Sequence, residues 1–483
     1  MRMRSFVPGR LTVAGVVATV WFAAVAQVAY ANVALTQVSS DPFTYTDAQH
    51  MTQVEPDTFV QGTTIVSAFQ VGRVSGGGSS DIGWATSSDS GATWTHGFLP
   101  GITVNQGGGQ FQQASDAAVA FDARHNVWLI SSLGVNGPGG NLAVLTSRST
   151  DGGLTWSNPV TTATGQLDKN WIVCDNTSTS PFFGNCYTEY DVTNNRNLVR
   201  MRTSSDGGLT WGPARSTSDS AHGLGGQPVV RPNGTVIVPY QSSGGQIRSF
   251  RSIDGGATWR ATVLVSAISH HDIAGGLRAE SLPSAEIDGA GTVYVTWSDS
   301  RFRSGGAEND IVLAKSTSET TWAAPVRVPI DATTSTVDHF VPGLGVDRST
   351  SGATARIGLA YYFYPTANCT AATCQLDVGY ISSTDGGSTW SAATQVAGPM
   401  TLSWLPNTSQ GRMFGDYIST SVLPGGRALP VIAVATAPTG STFNQAMFVP
   451  TGGLPVGSGT ARASAEGAVV TSPGAAAATT TSR

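Results

Sequence analysis

The sequence predicts an all-β protein, a β-propeller of four-stranded blades, on three observations. An eight-residue pattern, Ser-x-Asp-x-Gly-x-Thr-Trp, returns five times, and each copy sits among short apolar strands. The composition is that of tight turns. Of 483 residues, 12% are charged, 40% are hydrophobic and 58 are glycine, which suits many short strands joined by turns.

The copies run Ser87 to Trp94, Ser149 to Trp156, Ser204 to Trp211, Ser252 to Trp259 and Ser383 to Trp390, with Asp89, Asp151, Asp206, Asp254 and Asp385 in third place. A worn copy, Ser316 to Trp322, has lost the Asp and the Gly and is one residue short. In such a turn the carboxylate accepts backbone N–H groups. The glycine supplies a positive φ, and the Trp buries its face against the neighbouring unit. These five carboxylates are therefore expected to be structural.

Each box has four strands around it. For the second copy they are expected at 117–121, 127–131, 143–147 and 160–162, and for the worn copy at 285–287, 293–297, 311–314 and 326–328. Box-to-box intervals of 62, 55, 48, 64 and 67 average about 59, the length of a four-stranded blade with variable loops. Three strands follow the last box, at 417–422, 429–435 and 445–449, and 33–38 is expected to supply their fourth. Closing the ring with a strand from each end removes the open edges. That predicts seven blades over residues 32–450, with six as the alternative.

The chain ends and the cysteines suggest an address. Arg2, Arg4 and Arg10, the apolar run 11–28 and Ala29-Tyr30-Ala31 read as a signal peptide, residues 1–31, cleaved before Asn32. A membrane anchor is the alternative, because the run is nearly long enough to span a bilayer. Residues 451–483 read as a low-complexity tail, disordered or a spacer. Cys174 and Cys186 flank one loop and Cys369 and Cys374 another; of the three connectivities, local pairing is expected in an oxidising compartment. Zinc is not expected, since neither spacing is C-x-x-C. A net charge of −5 gives no basic face for nucleic acid. The expected protein is a secreted or cell-surface monomer that does not insert in the membrane after signal removal.

The boxes resemble the Asp boxes, or bacterial neuraminidase repeats, of the sialidase superfamily, over nearly all of 32–450. The resemblance implies a propeller glycoside hydrolase with a retaining mechanism. Its site would hold an arginine triad on the substrate carboxylate, an Asp acid/base, and a Tyr nucleophile with a Glu partner. Gly415-Asp416-Tyr417-Ile418 resembles the family's Tyr strand, which makes Tyr417 the candidate nucleophile. Ala279-Glu280-Ser281 resembles the strand of its partner, so Glu280 would take the phenolic proton. Asp81 is the nearest substitute for the acid/base, which the family would place at 75–80. The position of the family's first arginine reads Val54-Glu55-Pro56-Asp57, an acidic segment that reverses the local charge. Arg73, Arg278, Arg301, Arg303 and Arg412 stand at or near strand ends and are the candidates for the clamp.

Without the family, the starts of the innermost strands should crowd the axis. They include Glu55, Asp57, Asp116, Asp168, Lys169, Gln227, Glu280, Asp338, His339, Asp416 and Tyr417. Asp57, Asp338 and His339 join the arginines as candidate substrate ligands. So acidic an axis suits a carbohydrate hydroxyl network or a structural calcium, and no other cofactor is expected. Trp171 and Trp404, beside turns, are candidates to stack on a sugar face, while His270-His271-Asp272 reads as a solvated loop. Three functions stay open: a sialidase-like exo-glycosidase acting on a glycan, a polysaccharide lyase with His339 or a Tyr as base, and a non-catalytic propeller binding glycan or protein.

Overall fold

The computed structural model describes residues 33–137, 140 and 142–457, with the backbone alone of 30–31 and 468–469. Nearly all of the expected signal segment, and most of the expected tail, lie outside the described residues. The described chain is all-β, built from many antiparallel sheets.

The strands come in seven successive groups. The first is Gln53–Gln61, Thr64–Arg73, Ser79–Ser87 and Thr95–Phe98; the second is Gln113–Asp122, Val127–Val135, Leu142–Ser149 and Val160–Gly165. A single pairing, Ser79 with Ala114, joins these two. The third holds Leu167–Cys174, Cys186–Val192 and Leu198–Ser204, with Arg215 bridging Met201 at its outer edge. The fourth holds Val229–Val230, Val236–Ser242, Gln246–Ser252 and Val263–Ala267. The fifth is Ser284–Ile287, Val293–Asp299, Asp310–Ser316 and Val326–Arg327, and the sixth is Asp338–Val346, Ile357–Tyr364, Gln375–Ser383 and Thr394–Thr401. In the seventh, Ser419–Leu423, Arg427–Thr439 and Thr442–Pro450 are completed by Leu35–Gln37, which pairs with 448–450. The first strand of each group lies against that of the next, and the last, Ser419–Leu423, lies against Gln53–Gln61 again.

The inner strands of most sheets are buried on both faces, which suits their long apolar stretches, while outer strands such as Thr95–Phe98 and Val326–Arg327 are exposed. In Val293–Asp299, Val293, Val295 and Trp297 enter one core layer and Tyr294 enters the next. The β-branched and aromatic residues of this strand fit a pleated surface with neighbours on either side.

The five box turns share one hydrogen-bond pattern. One oxygen of each Asp accepts the backbone N–H of the Thr four residues on at 2.8–2.9 Å, and the other accepts that Thr's hydroxyl at 2.5–2.6 Å. The first Ser hydroxyl accepts the glycine N–H at 2.8–2.9 Å. The Thr bonds hold Asp89, Asp151 and Asp385 at a pKa of about 2. Gly153 shows why the fifth place is glycine: its φ is +84°, and a β-carbon would stand 2.7 Å from Val66 of the neighbouring sheet. In the worn copy the Ser318 hydroxyl accepts the Thr321 N–H at 2.8 Å, and Arg231 of the fourth sheet donates to the carbonyls of Ser316, Thr317 and Ser318.

Both cysteine pairs are bonded, Cys174 with Cys186 across two strands and Cys369 with Cys374 within one loop. Past Pro450, Leu454–Pro455 pairs with Arg427–Ala428 and Val456 is buried, so sheet structure runs beyond the expected boundary. Among the described residues no helix is long and apolar enough to cross a membrane.

Candidate axial site

Four inner strands carry the same irregularity near their starts. Their register shifts between Val54 and Asp57, Ser115 and Ala118, Asp168 and Trp171, and Phe340 and Gly343. Inside each shift stands a non-glycine residue of positive φ: Glu55 (56°), Asp116 (46°), Lys169 (48°) and Val341 (46°). A bulge adds one residue, bends the strand and re-aims a side chain. The left-handed conformation costs about 1–2 kcal/mol per residue. Three of the four bulges place a charged residue at the axis.

The result is a cleft of about 590 Å3 whose walls include Glu55, Arg73, Asp116, Asp168, Lys169 and Arg278. Lys169 Nζ reaches the buried Asp416, Asp116 at 3.2 Å and Glu55 at 3.8 Å. Arg278 also binds Asp416, whose backbone N–H donates to Glu55 Oε1 at 3.2 Å. Arg278 Nε is buried and has no hydrogen-bond partner among the described residues. Burial raises the Glu55 carboxyl to about 7, with Lys169 pulling the other way. Burial also works against the Asp416 charge, but Lys169 and Arg278 hold it at about 2. Asp168, half-buried in the wall, is raised to about 6 by burial and by Asp116. Burial opposes the Lys169 charge as well, but the surrounding carboxylates keep its pKa well above the usual value. The site thus joins one firmly ionised carboxylate to others poised near neutrality, a division that separates acid from base.

The expected site residues fall into two sets. Arg73 and Arg278 line the cleft, although Arg73 is buried and donates to the carbonyls of Gly78 and Val74. Tyr417 lies beneath it, 6% exposed, its hydroxyl donating to Ala117 O at 3.2 Å and its ring meeting Trp171 edge-on at 5.0 Å. Burial pushes the phenol well above its usual pKa. Glu280 is exposed, and no hydrogen bond among the described residues joins it to Tyr417. Asp57 lies below the cleft in a narrow throat, accepting the Val119 N–H at 2.7 Å, and burial raises it to about 7.

The second set lies elsewhere. Asp81 is fully buried in Ser79–Ser87, with neither oxygen hydrogen-bonded among the described residues, and burial raises it strongly. Arg301 grips Asp299 at 2.7 and 2.8 Å, Arg303 grips Asp310 at 2.6 Å and Asp331 at 2.8 Å, and Arg412 donates to Leu405 O at 2.7 Å. Asp338 accepts from Asn309 at 2.8 Å, and burial raises it to about 6. His339 is buried beside Tyr361 and Phe363, which lowers it to about 4. Trp404 belongs to the core. His270 of the expected solvated loop meets Ser281 at 2.6 Å. Among the described residues, one three-ligand group could hold a metal ion: Asp310, Asp331 and His339. Arg303 and Arg327 already neutralise its carboxylates, Arg327 Nε lying 2.8 Å from Asp310.

Two carboxyls behind the cleft were not anticipated. Glu189 and Asp191 on Cys186–Val192 are fully buried, and among the described residues none of their four oxygens has a hydrogen-bond partner. Their signal is the alternation Thr188-Glu189-Tyr190-Asp191, which puts two acids on one face of an apolar strand.

No family model and no curated protein matches the sequence. Solved structures similar to the chain include sialidases at low identity. A protein of unknown function from Dyadobacter fermentans DSM 18053 is 17% identical, over 72% of this chain and 99% of that one, with a TM-score of 0.46. The leech intramolecular trans-sialidase is 14% identical, over 86% and 70%, with a TM-score of 0.42. The NanB sialidase of Streptococcus pneumoniae is 13% identical, over 86% and 69%, with a TM-score of 0.42. Likenesses so distant leave the chemistry to be read from the cleft itself.

Proposed function

We propose that this chain is a secreted, sialidase-like glycoside hydrolase, a seven-bladed propeller whose site is the axial cleft. One observation carries the reading: Asp168 faces the cleft with its carboxyl raised to about 6, beside Asp116, which is tied to Lys169 at 3.2 Å. A carboxyl near neutrality next to a cation-paired one is the acid and carboxylate couple that glycosidic cleavage needs. In this reading Asp168 gives its proton to the leaving glycosidic oxygen, and Asp116 steadies or attacks the anomeric carbon. Arg278, which lines the cleft and pairs with Asp416, meets the anionic or polar groups of the glycan. The Asp boxes support the fold, and the two disulfides fit an extracellular protein.

The test runs the full chain on a fluorogenic sialoside and on a panel of other glycosides. Asp168→Asn is expected to lower kcat by about 10²–10⁴, and less on substrates whose leaving group needs no proton. Tyr417→Phe and Glu280→Gln run beside it. Activity that those two abolish and Asp168→Asn spares would move the chemistry to the tyrosine. Glycan binding without turnover, in a folded protein, would overturn the hydrolase reading.

A further inference from the structure

Behind Asp168 the third sheet carries a feature that the cleft reading does not use. Asp168 and Asp191 are cross-strand partners, and Glu189 stands two residues along the same strand. Like charges placed directly opposite one another destabilise a strand pair, and a buried carboxylate without a donor loses its hydration uncompensated. Asp191 meets both conditions. It is fully buried, neither oxygen has a partner, and the charged or titratable groups acting on it are Asp168, Asp116 and Lys169, with Glu189 alongside. Lys169 is already engaged by Asp116 and Asp416. As an anion Asp191 would have no hydrogen-bond partner among the described residues. As a neutral acid it has an acceptor directly opposite, the Asp168 carboxyl.

We propose that Asp191 is a positioning residue for Asp168, a buried carboxyl kept protonated so that its O–H donates across the strand pair to the acid in the cleft. This rests on the hydrolase reading for its consequence and on the strand pair for its existence. When Asp168 passes its proton to the glycosidic oxygen, the C–O bond breaks with its electron pair on that oxygen, and Asp168 is left as a carboxylate. The Asp191 O–H then stabilises that new charge without ionising. The water that adds to the anomeric carbon releases the proton that restores Asp168. The direction of the Asp191 shift agrees: burial, then Asp168, raises it to about 8. Glu189 is raised strongly too, by burial and then by Asp191, so the pair of unanticipated acids stays neutral together.

Asparagine can replace a permanently protonated aspartic acid as a donor, and leucine cannot. The decisive measurement is the Tm of the full chain from pH 5 to pH 9, for the wild type and for Asp191→Asn. The proposal expects the two curves to lie closest at pH 5 and to separate up to about pH 8, the variant becoming relatively more stable, because Asp191 ionises in the unfolded chain but keeps its proton in the folded one. Parallel curves would overturn it. So would a Tm raised by calcium in the EDTA-treated wild type and not in Asp191→Asn, which would mean that the orphaned oxygens hold a cation. These melting curves need no substrate, so they decide the proposal even if no glycan is cleaved. If one is, Asp191→Leu is expected to lower kcat about tenfold with KM held, while Asp191→Asn keeps the rate and carries it to higher pH. Equal losses in both variants would mean that Asp191 only fills space.

Discussion

Lys169 neutralises a site that would otherwise be a concentration of negative charge. Its ammonium stands among Asp116, Asp416 and Glu55, with its side chain 11% exposed. Replacing it with Met leaves carboxylates buried without a cation, which typically costs about 3–5 kcal/mol. Urea unfolding of Lys169→Met at pH 7 measures that loss, which shrinks towards pH 5 as Glu55 and Asp168 take up protons. The wild type has its own pH profile. Glu55 at about 7 and Asp168 at about 6 hold extra protons when folded, so stability falls as pH rises from the ordinary carboxylate range through those values. Asp416 at about 2 acts in the opposite sense: its contribution is present above the ordinary range and is lost as pH falls through 2. The Tm is therefore expected to peak near pH 4, the ordinary carboxylate range, and to decline towards pH 8. That Lys169 and Asp416 belong to the axis is legible in their positions at strand starts. That they bind one another is not, because 247 residues separate them.

At the scale of the element, the box turns and the bulges differ in how they are written. A box announces itself, because every bond in it joins residues within four positions. The bulges do not, since their left-handed places are filled by Glu55, Asp116, Lys169 and Val341, where a reader expects glycine. Strict alternation would put Glu55 and Asp57 on one face. The bulge sends Glu55 to the cleft wall and Asp57 to the throat below it. The worn box yields a prediction that sequence could not offer. Asp206→Ala removes bonds at a half-exposed turn and is expected to cost about 1 kcal/mol. Arg231→Met lies outside every box, yet it strips a donor from three carbonyls of the worn turn and is expected to cost more, about 2 kcal/mol. Denaturant midpoints of the two variants decide the order.

Over the whole molecule, strand groups follow one another in chain order, which is why box spacing could suggest a repeat, while the last group had to be read from the strands after the final box. The axis resisted because it is assembled from one residue here and two there, contributed by distant groups and turned by bulges. The exception to chain order is the seventh group, whose outer strand comes from the other end of the chain. Leu35–Gln37 pairs with 448–450, and the Val38 N–H donates to Met447 O at 2.9 Å. Removing residues 33–38 bares the edge of Thr442–Pro450. A lowered Tm and concentration-dependent self-association, read by light scattering, are the expected outcome.

That borrowed strand also imposes an order in time. Residues 35–37 are made before their partners, so the final sheet acts as a latch that closes only once residues 448–450 exist. A chain cut short before residue 442 keeps both halves of the latch open, offering a loose leading segment and a raw sheet edge to any protease in its surroundings. Completeness, for this molecule, is something its own architecture inspects.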